Sequence, residues 1–570
     1  MKRNLSLGAA LLVLWAVGCD DLSEAVDDGV FLVPADAASM IDAASVFDST
    51  VDREVELIDT GPADAAPDEA TDMNTPRPPP PPYDALEDCL AERIAMTPAT
   101  GAAAAVVRDG AVVYAGGVGT RGPRDGRPVE ATTLFRFASI VKGMTALAVL
   151  SEVGAGHLAL DARVVDVVPE LAANADPRWQ ALTVRHLMTH QGGLFNYLAF
   201  EREVWPESRL HDFLTSPEFA RSAYFMVDPG TFYNYSNANY MLAGLVAETS
   251  AGMPYRQVMR ERVFAPLGMT RVYFTADDVR TDGDYAIGVS ENDAGVLYEH
   301  RPGAYDAVWA WPALLGWASA ADLARYVQYI IDGEAPVVDG ALWQAWRSPQ
   351  VLAESTAGPA WYGYGLAILD HLPLGVTAHP TPVIFHDGFI FGYSSLLVTL
   401  PELGFGAVLL INTDLEQAAL ANCLVPLMAS LDGLPAAVEP PPEWSPRAET
   451  FIDYVGEYEG TPNVGASHVE LTEDGGLRIS LPDLDRVGMP YTPELTPVGH
   501  DTFLLSLEGV PLLLTGLRTE GEAAIHYLRT RVFVGTRVEG APKRARIDPD
   551  ALRRALAQPP PGPSIWSALQ

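Results

Sequence analysis

Three short stretches of this sequence bring together residue types that do chemistry in concert. The first is Ser139-Ile140-Val141-Lys142. On a helix, residues three apart lie on one face, so the lysine amine reaches the serine hydroxyl. A serine hydroxyl is a poor nucleophile until a neighbour takes its proton. A lysine takes it only as the neutral amine, so its ordinary pKa of about 10.4 has to be lowered by burial or by nearby cations. In the first turn of its helix, Ser139 would have an unpaired backbone N–H at the end where the dipole favours negative charge, which is half of an oxyanion hole. The second stretch is Tyr235-Ser236-Asn237, a phenol and an amide two residues apart. A phenolate held between cations acts as a base, and the amide holds a substrate carbonyl. The third is His386-Asp387-Gly388-Phe389, at the start of an apolar strand. Glycine on a strand admits close approach of a ligand or another backbone, and the next N–H then points at the reacting carbonyl. A lone Ser-x-x-Lys arises by chance in any long chain, as a core helix with a surface lysine. Its two companions set this one apart.

The elements that must position these residues follow from periodicity and turn chemistry. Residues 84–95 form an amphipathic helix. Strands at 102–107 and 111–115 are joined by Asp109-Gly110, a strong hairpin signal between apolar runs. From Ser139 to about Gly333 the helical period dominates. Strands return at 383–385, 394–400 and 405–412, and a closing helix is predicted at 415–431. Both ends of this region supply strands to one antiparallel sheet, the helical stretch makes a second lobe, and a cleft between lobes is a natural place for a site. Residues 435–446 are rich in Pro and Glu and form a linker. Residues 454–538 alternate and carry turn pairs such as Asp474-Gly475 and Glu520-Gly521, the pattern of a small all-β domain. The tail beyond Pro542 is basic, then proline-rich, and is expected to be loosely ordered. Gly117-Val118-Gly119-Thr120-Arg121-Gly122 formally matches a dinucleotide fingerprint, but Pro123-Arg124-Asp125-Gly126 follows it in place of a helix.

In this order the three stretches resemble the serine β-lactamase and penicillin-binding-protein superfamily. The nearest branch is similar to the class C β-lactamase-like serine hydrolases, which include esterases, DD-peptidases and D-aminopeptidases. Supporting matches are Leu187-Met188-Thr189-His190-Gln191-Gly192-Gly193-Leu194, Trp361-Tyr362-Gly363-Tyr364-Gly365 and Pro401-Glu402-Leu403-Gly404-Phe405-Gly406. The resemblance spans about residues 84–432, and Tyr454-Val455-Gly456-Glu457-Tyr458 opens a region similar to the small β domain often appended to this family. The implied fold is α/β: an antiparallel sheet flanked by helices, a helical lobe, then the small β domain. The implied roles are Ser139 as acylated nucleophile and Lys142 and Tyr235 as coupled proton carriers. Asn237, His386, Asp387 and Gly388 would contact substrate, and the N–H groups of Ser139 and Phe389 would form the oxyanion hole. In this fold the first and last helices pack side by side, which implies a disulfide between Cys89 and Cys423.

The third stretch departs from the family pattern. The usual Lys-Thr-Gly, whose lysine and threonine help receive a substrate carboxylate, is His386-Asp387-Gly388 here. A neutral histidine and an aspartate predict a preference for neutral or cationic esters or amides over β-lactams. The usual Thr-Ser-Gly after His190 is Gln191-Gly192-Gly193. His186 and His190 stand four apart like a zinc half-site, but Leu187 occupies the place where a glutamate is needed, so no metal and no cofactor is expected. Trp309, Trp311 and Tyr197 are candidates for the pocket lining or for the core.

Composition limits the partners. Of 570 residues, 74 are Asp or Glu and 37 Lys or Arg, a formal charge of −37 that argues against nucleic acid and against docking on anionic lipid. Three cysteines exclude a disulfide-dense scaffold and a four-thiolate zinc site. Lys2 and Arg3 precede an apolar run from Leu5 to Val17, too short to span a bilayer, ending in Ala16-Val17-Gly18-Cys19. Small residues before a cysteine resemble the lipobox of bacterial lipoproteins, which implies a signal at 1–19, a lipid on Cys19 and a place in the cell envelope. An ordinary secretory signal cut near Gly18 is the plainer alternative. Residues 20–90 hold 19 acidic and two basic residues, a composition that stays extended as a tether. The expected organisation is signal 1–19, acidic and proline-rich tether 20–83, hydrolase domain 84–432, linker 433–449, β domain 450–540 and tail 541–570. The expected function is hydrolysis of a small ester, amide or peptide through an acyl-enzyme on Ser139. The alternatives are a DD-peptidase or D-aminopeptidase, a β-lactamase, and a catalytically silent cell-surface binding protein.

Overall fold

The computed structural model describes residues 83–196, 209–291, 295–304, 306–333, 336–353, 359–415, 417–440, 445–519, 521–543, 547 and 549–556. The expected signal, Cys19, nearly all of the tether and Tyr197 lie outside them. Among the described residues, no helix is long and apolar enough to cross a membrane.

The hydrolase domain is organised by a nine-stranded sheet. Its strands are β1 (Gly101–Arg108), β2 (Ala111–Gly122), β3 (Asp125–Pro128), β4 (Val351–Leu352), β5 (Ala360–Tyr362), β6 (Ala367–Leu369), β7 (Val383–Ile390), β8 (Tyr393–Leu400) and β9 (Phe405–Ile411). Their spatial order is β3-β2-β1-β9-β8-β7-β6-β5-β4, so the first and last strands of the domain pair at its centre. The β1–β2 hairpin closes through Asp109 at φ 49° and Gly110 at φ 78°. Two successive positive φ values make a type I′ turn, which is why Asp-Gly stands there. Along β1, Ala103, Ala105 and Val107 face one core while Ala102, Ala104 and Val106 face another. Both faces are covered, so the strand reads as a continuous run of small apolar residues and not as an alternation.

On one face lie α1 (Asp84–Ala95) and α5 (Gln417–Ala429), joined by the disulfide Cys89–Cys423. On the other lie α2 (Val141–Gly154), α3 (Asn237–Ala251) and α4 (Ala320–Asp332), with the rest of the helical lobe. Helix α4 approaches β9 over Gly406, where a Cβ would fall 2.4 Å from a Val327 methyl.

Three expectations change. Strand β2 continues through the glycine-rich run to Gly122, and a Cβ on Gly117 would lie 2.4 Å from the Val129 carbonyl oxygen, so those glycines serve close backbone packing. Strand β7 reaches Ile390, which holds His386 to Phe389 in a ladder with β8, an assignment its polar and glycine residues hide from periodicity. The tail is not merely loose: α6 (Pro549–Leu556) docks on the β domain, burying Leu552 and Leu556 together with Ile547 in its core.

The β domain is a closed eight-stranded barrel. Its strands are β10 (Gly456–Gly460), β11 (Ser467–Leu471), β12 (Leu477–Ser480), β13 (Glu494–Gly499), β14 (Thr502–Leu507), β15 (Val510–Leu517), β16 (Tyr527–Arg529) and β17 (Val534–Val538). It closes on itself by pairing β10 with β17, which leaves no open edge. The barrel meets the hydrolase domain at the segment that leads into Tyr235. Buried Arg529 donates from Nη1 to the Tyr233 carbonyl at 2.5 Å, Asn234 Nδ2 donates to the Thr530 carbonyl at 3.3 Å, and the Phe232 and Tyr527 rings lie 5.2 Å apart.

Candidate active site

Ser139 stands in a tight turn, Ala138–Ile140, that leads directly into α2. Ala138 adopts φ 45°, uncommon for a residue with a side chain, and this reverses the chain just before the serine. The turn is gripped by the sheet. Ser395 Oγ on β8 donates to the Phe137 carbonyl at 3.0 Å, and Gly388 on β7 lies so close that a Cβ would sit 2.5 Å from that same oxygen. The glycine of the third stretch is therefore required by packing against the nucleophile turn.

Lys142 is fully buried in the first turn of α2, one turn on from Ser139. Its Nζ donates to Ser139 Oγ at 2.8 Å, to Asn237 Oδ1 at 2.7 Å and to the Ala313 carbonyl at 2.7 Å. Burial, and secondarily the positive charge of Arg531, hold its pKa well below the ordinary lysine range, with Asp387 opposing. When the amine is neutral, Asn237 and Ala313 occupy its two remaining N–H bonds, and the lone pair is directed at Ser139. Asn237 is itself held: its N–H and Nδ2 both donate to Asn196 Oδ1, at 2.8 and 3.0 Å. Its amide is thus hydrogen-bonded to Lys142 and held by Asn196.

Tyr235 donates from its hydroxyl to Ser139 Oγ at 3.0 Å. Burial, with the charge of Asp387 adding to it, raises its pKa against the hydrogen bond with Ser139 and the charge of Arg531, so it rests as a phenol. The ring packs on His190, centroids 4.3 Å apart, and His190 Nδ1 accepts from the Ser236 N–H at 3.2 Å. His190 thereby braces the Tyr235 segment. His186 is engaged elsewhere, its Nδ1 accepting from the Thr183 N–H at 3.3 Å in a helix cap, so the two histidines do separate work. Trp309 and Trp311 are buried in the core, against Phe213 and Phe274.

On β7, burial and the charge of Lys142 push the His386 pKa down to about 3. The neutral ring donates from Nδ1 to the Asp387 carbonyl at 2.6 Å and accepts on Nε2 from the Tyr362 hydroxyl at 3.2 Å. Asp387 keeps 21% of its side chain exposed; burial raises its pKa, opposed by Arg531 and Lys142. Phe389 pairs with Ser394 one step from the two-residue turn closed by Ile390 and Tyr393, so its N–H points away from β8. On that side β6 has ended, its pairing with β7 stopping at Phe385. The Phe389 N–H thus faces the cleft, as does Ser139's at the head of the helix, where hydrogen bonding within the turn begins only at Ile140.

Sequence reasoning missed Asn196 and, above all, Arg531, and it quoted Tyr362 as a family match without giving it a role. The last comes from the barrel turn between β16 and β17, and its guanidinium carbon lies 5.1 Å from the centre of the Tyr235 ring. The charge expected from His386-Asp387 alone omitted this cation.

Known proteins share the family and the fold of this chain. A family model described as Beta-lactamase matches residues 86–423. Esterase EstB of Burkholderia gladioli is 31% identical over 347 residues, covering 55% of this chain and 86% of that protein. A D-aminopeptidase of Cereibacter sphaeroides is 26% identical over 499 residues, 85% of this chain and 90% of that protein. Among solved structures, SurE with D-Leu aligns with a TM-score of 0.58 at 23% identity, covering 80% of this chain and 99% of that one. The octameric penicillin-binding protein homologue from Pyrococcus abyssi aligns at 0.54 and 23% identity, covering 80% and 100%. Both show likeness of fold.

Proposed function

Because this chain belongs to the β-lactamase family of serine hydrolases, we propose that Ser139 is the nucleophile of an acyl-enzyme reaction on a small ester or amide. The observation that carries this is the convergence on Ser139 Oγ of a fully buried lysine amine at 2.8 Å and a buried phenol at 3.0 Å. Neutral Lys142 takes the serine proton as Oγ attacks the substrate carbonyl carbon. The carbonyl oxygen, now negative, is received by the N–H groups of Ser139 and Phe389, where one donor is worth ~10²–10³ in rate. Tyr235 passes its proton to the departing oxygen or nitrogen. Water then attacks the acyl carbon and the same groups run in reverse.

The ester reading rests on the 31% identity to an esterase. A second reading, hydrolysis of a peptide amide, rests on the D-aminopeptidase match, which extends over 85% of this chain. A β-lactam carboxylate finds no cation on β7, because His386 is neutral and Asp387 adjoins it. We also propose that residues 1–19 direct export, that Cys19 carries lipid and that the acidic stretch tethers the enzyme in the cell envelope. The composition of residues 1–83 supports this. Fatty-acid labelling lost in Cys19→Ala tests it; labelling retained in that variant refutes it.

The test of the chemistry is intact mass after exposure to a short-chain activated ester and, separately, to a penicillin. An adduct or turnover with the ester, absent in Ser139→Ala, is expected. Turnover unaffected by that substitution would refute the acyl-enzyme reading. Penicillin hydrolysed as fast as the best ester would refute the preference.

A further inference from the structure

The Tyr235 ring is approached by two basic side chains drawn from different domains. Lys142 Nζ is 4.9 Å from its centre and Arg531 Cζ 5.1 Å. Arg531 does not hang from a loose loop. In the turn that carries it, Thr530 N–H donates to the Phe533 carbonyl at 2.9 Å and the Thr530 hydroxyl accepts from the N–H groups of Val532 and Phe533. On the barrel side, Asn463 Nδ2 donates to the Val532 carbonyl at 2.5 Å. On the hydrolase side, Asn234 and Arg529 bind the turn to the backbone that leads into Tyr235. Tyrosine and arginine are therefore carried on one braced interface.

We propose that Arg531 is a positioning residue of the hydrolase site: a cation supplied by the barrel that, with Lys142, stabilises negative charge on Tyr235 as its proton leaves. This rests on the acyl-enzyme reading above. The need for it follows from burial. A desolvated phenol resists ionisation, and the step that protonates the leaving group creates a phenolate in that setting. Lys142 is an ammonium at that moment, having taken the serine proton, so the ring has one cation from its own domain. The third stretch offers none, since His386 is neutral. Of the other groups facing this pair, Asp387 opposes the effect, while His190, held neutral by burial, and the phenol of Tyr240 add no charge. The barrel thus supplies the charge missing from β7. Its field also disfavours the proton on Lys142, which favours the neutral base.

The experiment compares wild type, Arg531→Gln and Arg531→Lys, with Ser139→Ala as control, on three acyl esters. One has a p-nitrophenolate leaving group, one an unactivated alkoxide, and one a carboxylate on the acyl chain. We expect Arg531→Gln to lower kcat on the alkoxide ester by ~10- to 100-fold and on the p-nitrophenyl ester by only a few-fold, because the better leaving group needs less proton donation. The acid limb of kcat/KM should move to higher pH, and Arg531→Lys should recover most of both effects. A change in KM confined to the carboxylate ester would overturn the proposal and make Arg531 a substrate receptor. Equal kcat for wild type and Arg531→Gln on the neutral esters would overturn it outright. So would a lower kcat with an unmoved pH limb, unrelieved by lysine and accompanied by a lower Tm, which marks a structural role. Turnover surviving in Ser139→Ala would overturn the acyl-enzyme reading itself, and this inference with it.

Discussion

Two turns approach the Ser139–Tyr235 hydrogen bond, and they are built on opposite principles. The nucleophile turn is local. Ser139 and Lys142 are three residues apart, helix geometry alone puts them on one face, and the sheet needs only a glycine at 388 to let the turn seat. The barrel turn is remote. It is fastened to the segment leading into Tyr235 by contacts that bridge 296 residues of sequence, and no spacing rule connects the two. A proton carrier can be encoded by spacing, whereas the field around it is assembled by the fold.

The largest expected effect tests the local turn. Lys142→Met should lower kcat by ~10³-fold or more, as loss of a general base does when serine and base act as a unit. The kcat/KM of the wild type should rise with pH through an ionisation below the ordinary lysine range, since the base must shed its proton and burial makes that easier. A variant within tenfold of wild type would remove Lys142 from the proton path and leave Tyr235 as the sole base.

Next comes the support of that lysine. Asn196→Ala leaves the Asn237 N–H and Nδ2 without the oxygen that holds them. An unpaired buried polar group costs about 1–3 kcal/mol, and the strain falls on the amide that aims the lysine lone pair. We expect a fall in kcat of about tenfold or more with KM little changed, read by steady-state kinetics. A rise in KM alone would mean that Asn237 binds substrate, as the sequence suggested, more than it orients Lys142.

What was legible divides along the same line. Ser139, Lys142, Tyr235 and Asn237 were found because each belongs to a short pattern, and α1 was placed from periodicity at the bounds it has in the structure, Asp84–Ala95. The closing strands were found to within a residue except β7, which was cut short because His386, Asp387 and Gly388 break the apolar run while β8 holds them in the ladder. Asn196 lies six residues past His190, in a loop with no periodic signal. Arg531 was invisible, one of many arginines in a domain that spacing could identify only as all-β. The tail helix was missed because it is short and lies between basic and proline-rich stretches, and the few apolar residues that dock it gain their meaning from the barrel surface.

The remote turn should respond less sharply. Arg529→Met keeps bulk but removes the buried hydrogen bond to the Tyr233 carbonyl. It is expected to lower Tm by several degrees, in line with about 1.5–3 kcal/mol for a charged hydrogen bond, and to reduce kcat by a few-fold as Tyr235 and Arg531 lose register. A loss of stability with unchanged kcat would separate the barrel's docking from its effect on the site.

The smallest effect on chemistry belongs to the far face of the sheet, which makes it the sharpest control. Cys89 and Cys423 join α1 to α5 across a separation of 334 residues, and both helices pack in the core that faces away from Ser139. Opening so long a loop restores entropy to the unfolded chain, which for native disulfides is typically worth about 2–4 kcal/mol. The described side chains of both helices that pack in a hydrophobic core pack in that far one, and the strands between them and the nucleophile turn are paired along their length, so the site has no reason to shift while the fold persists. The double variant Cys89→Ser, Cys423→Ser should therefore unfold at lower denaturant while keeping kcat within about twofold at 25 °C, where the native state remains dominant. If kcat fell tenfold in protein shown to be folded, the far face would be coupled to the nucleophile turn through the sheet. The division between a locally encoded site and a remotely assembled field would then have to include α1 and α5 as well.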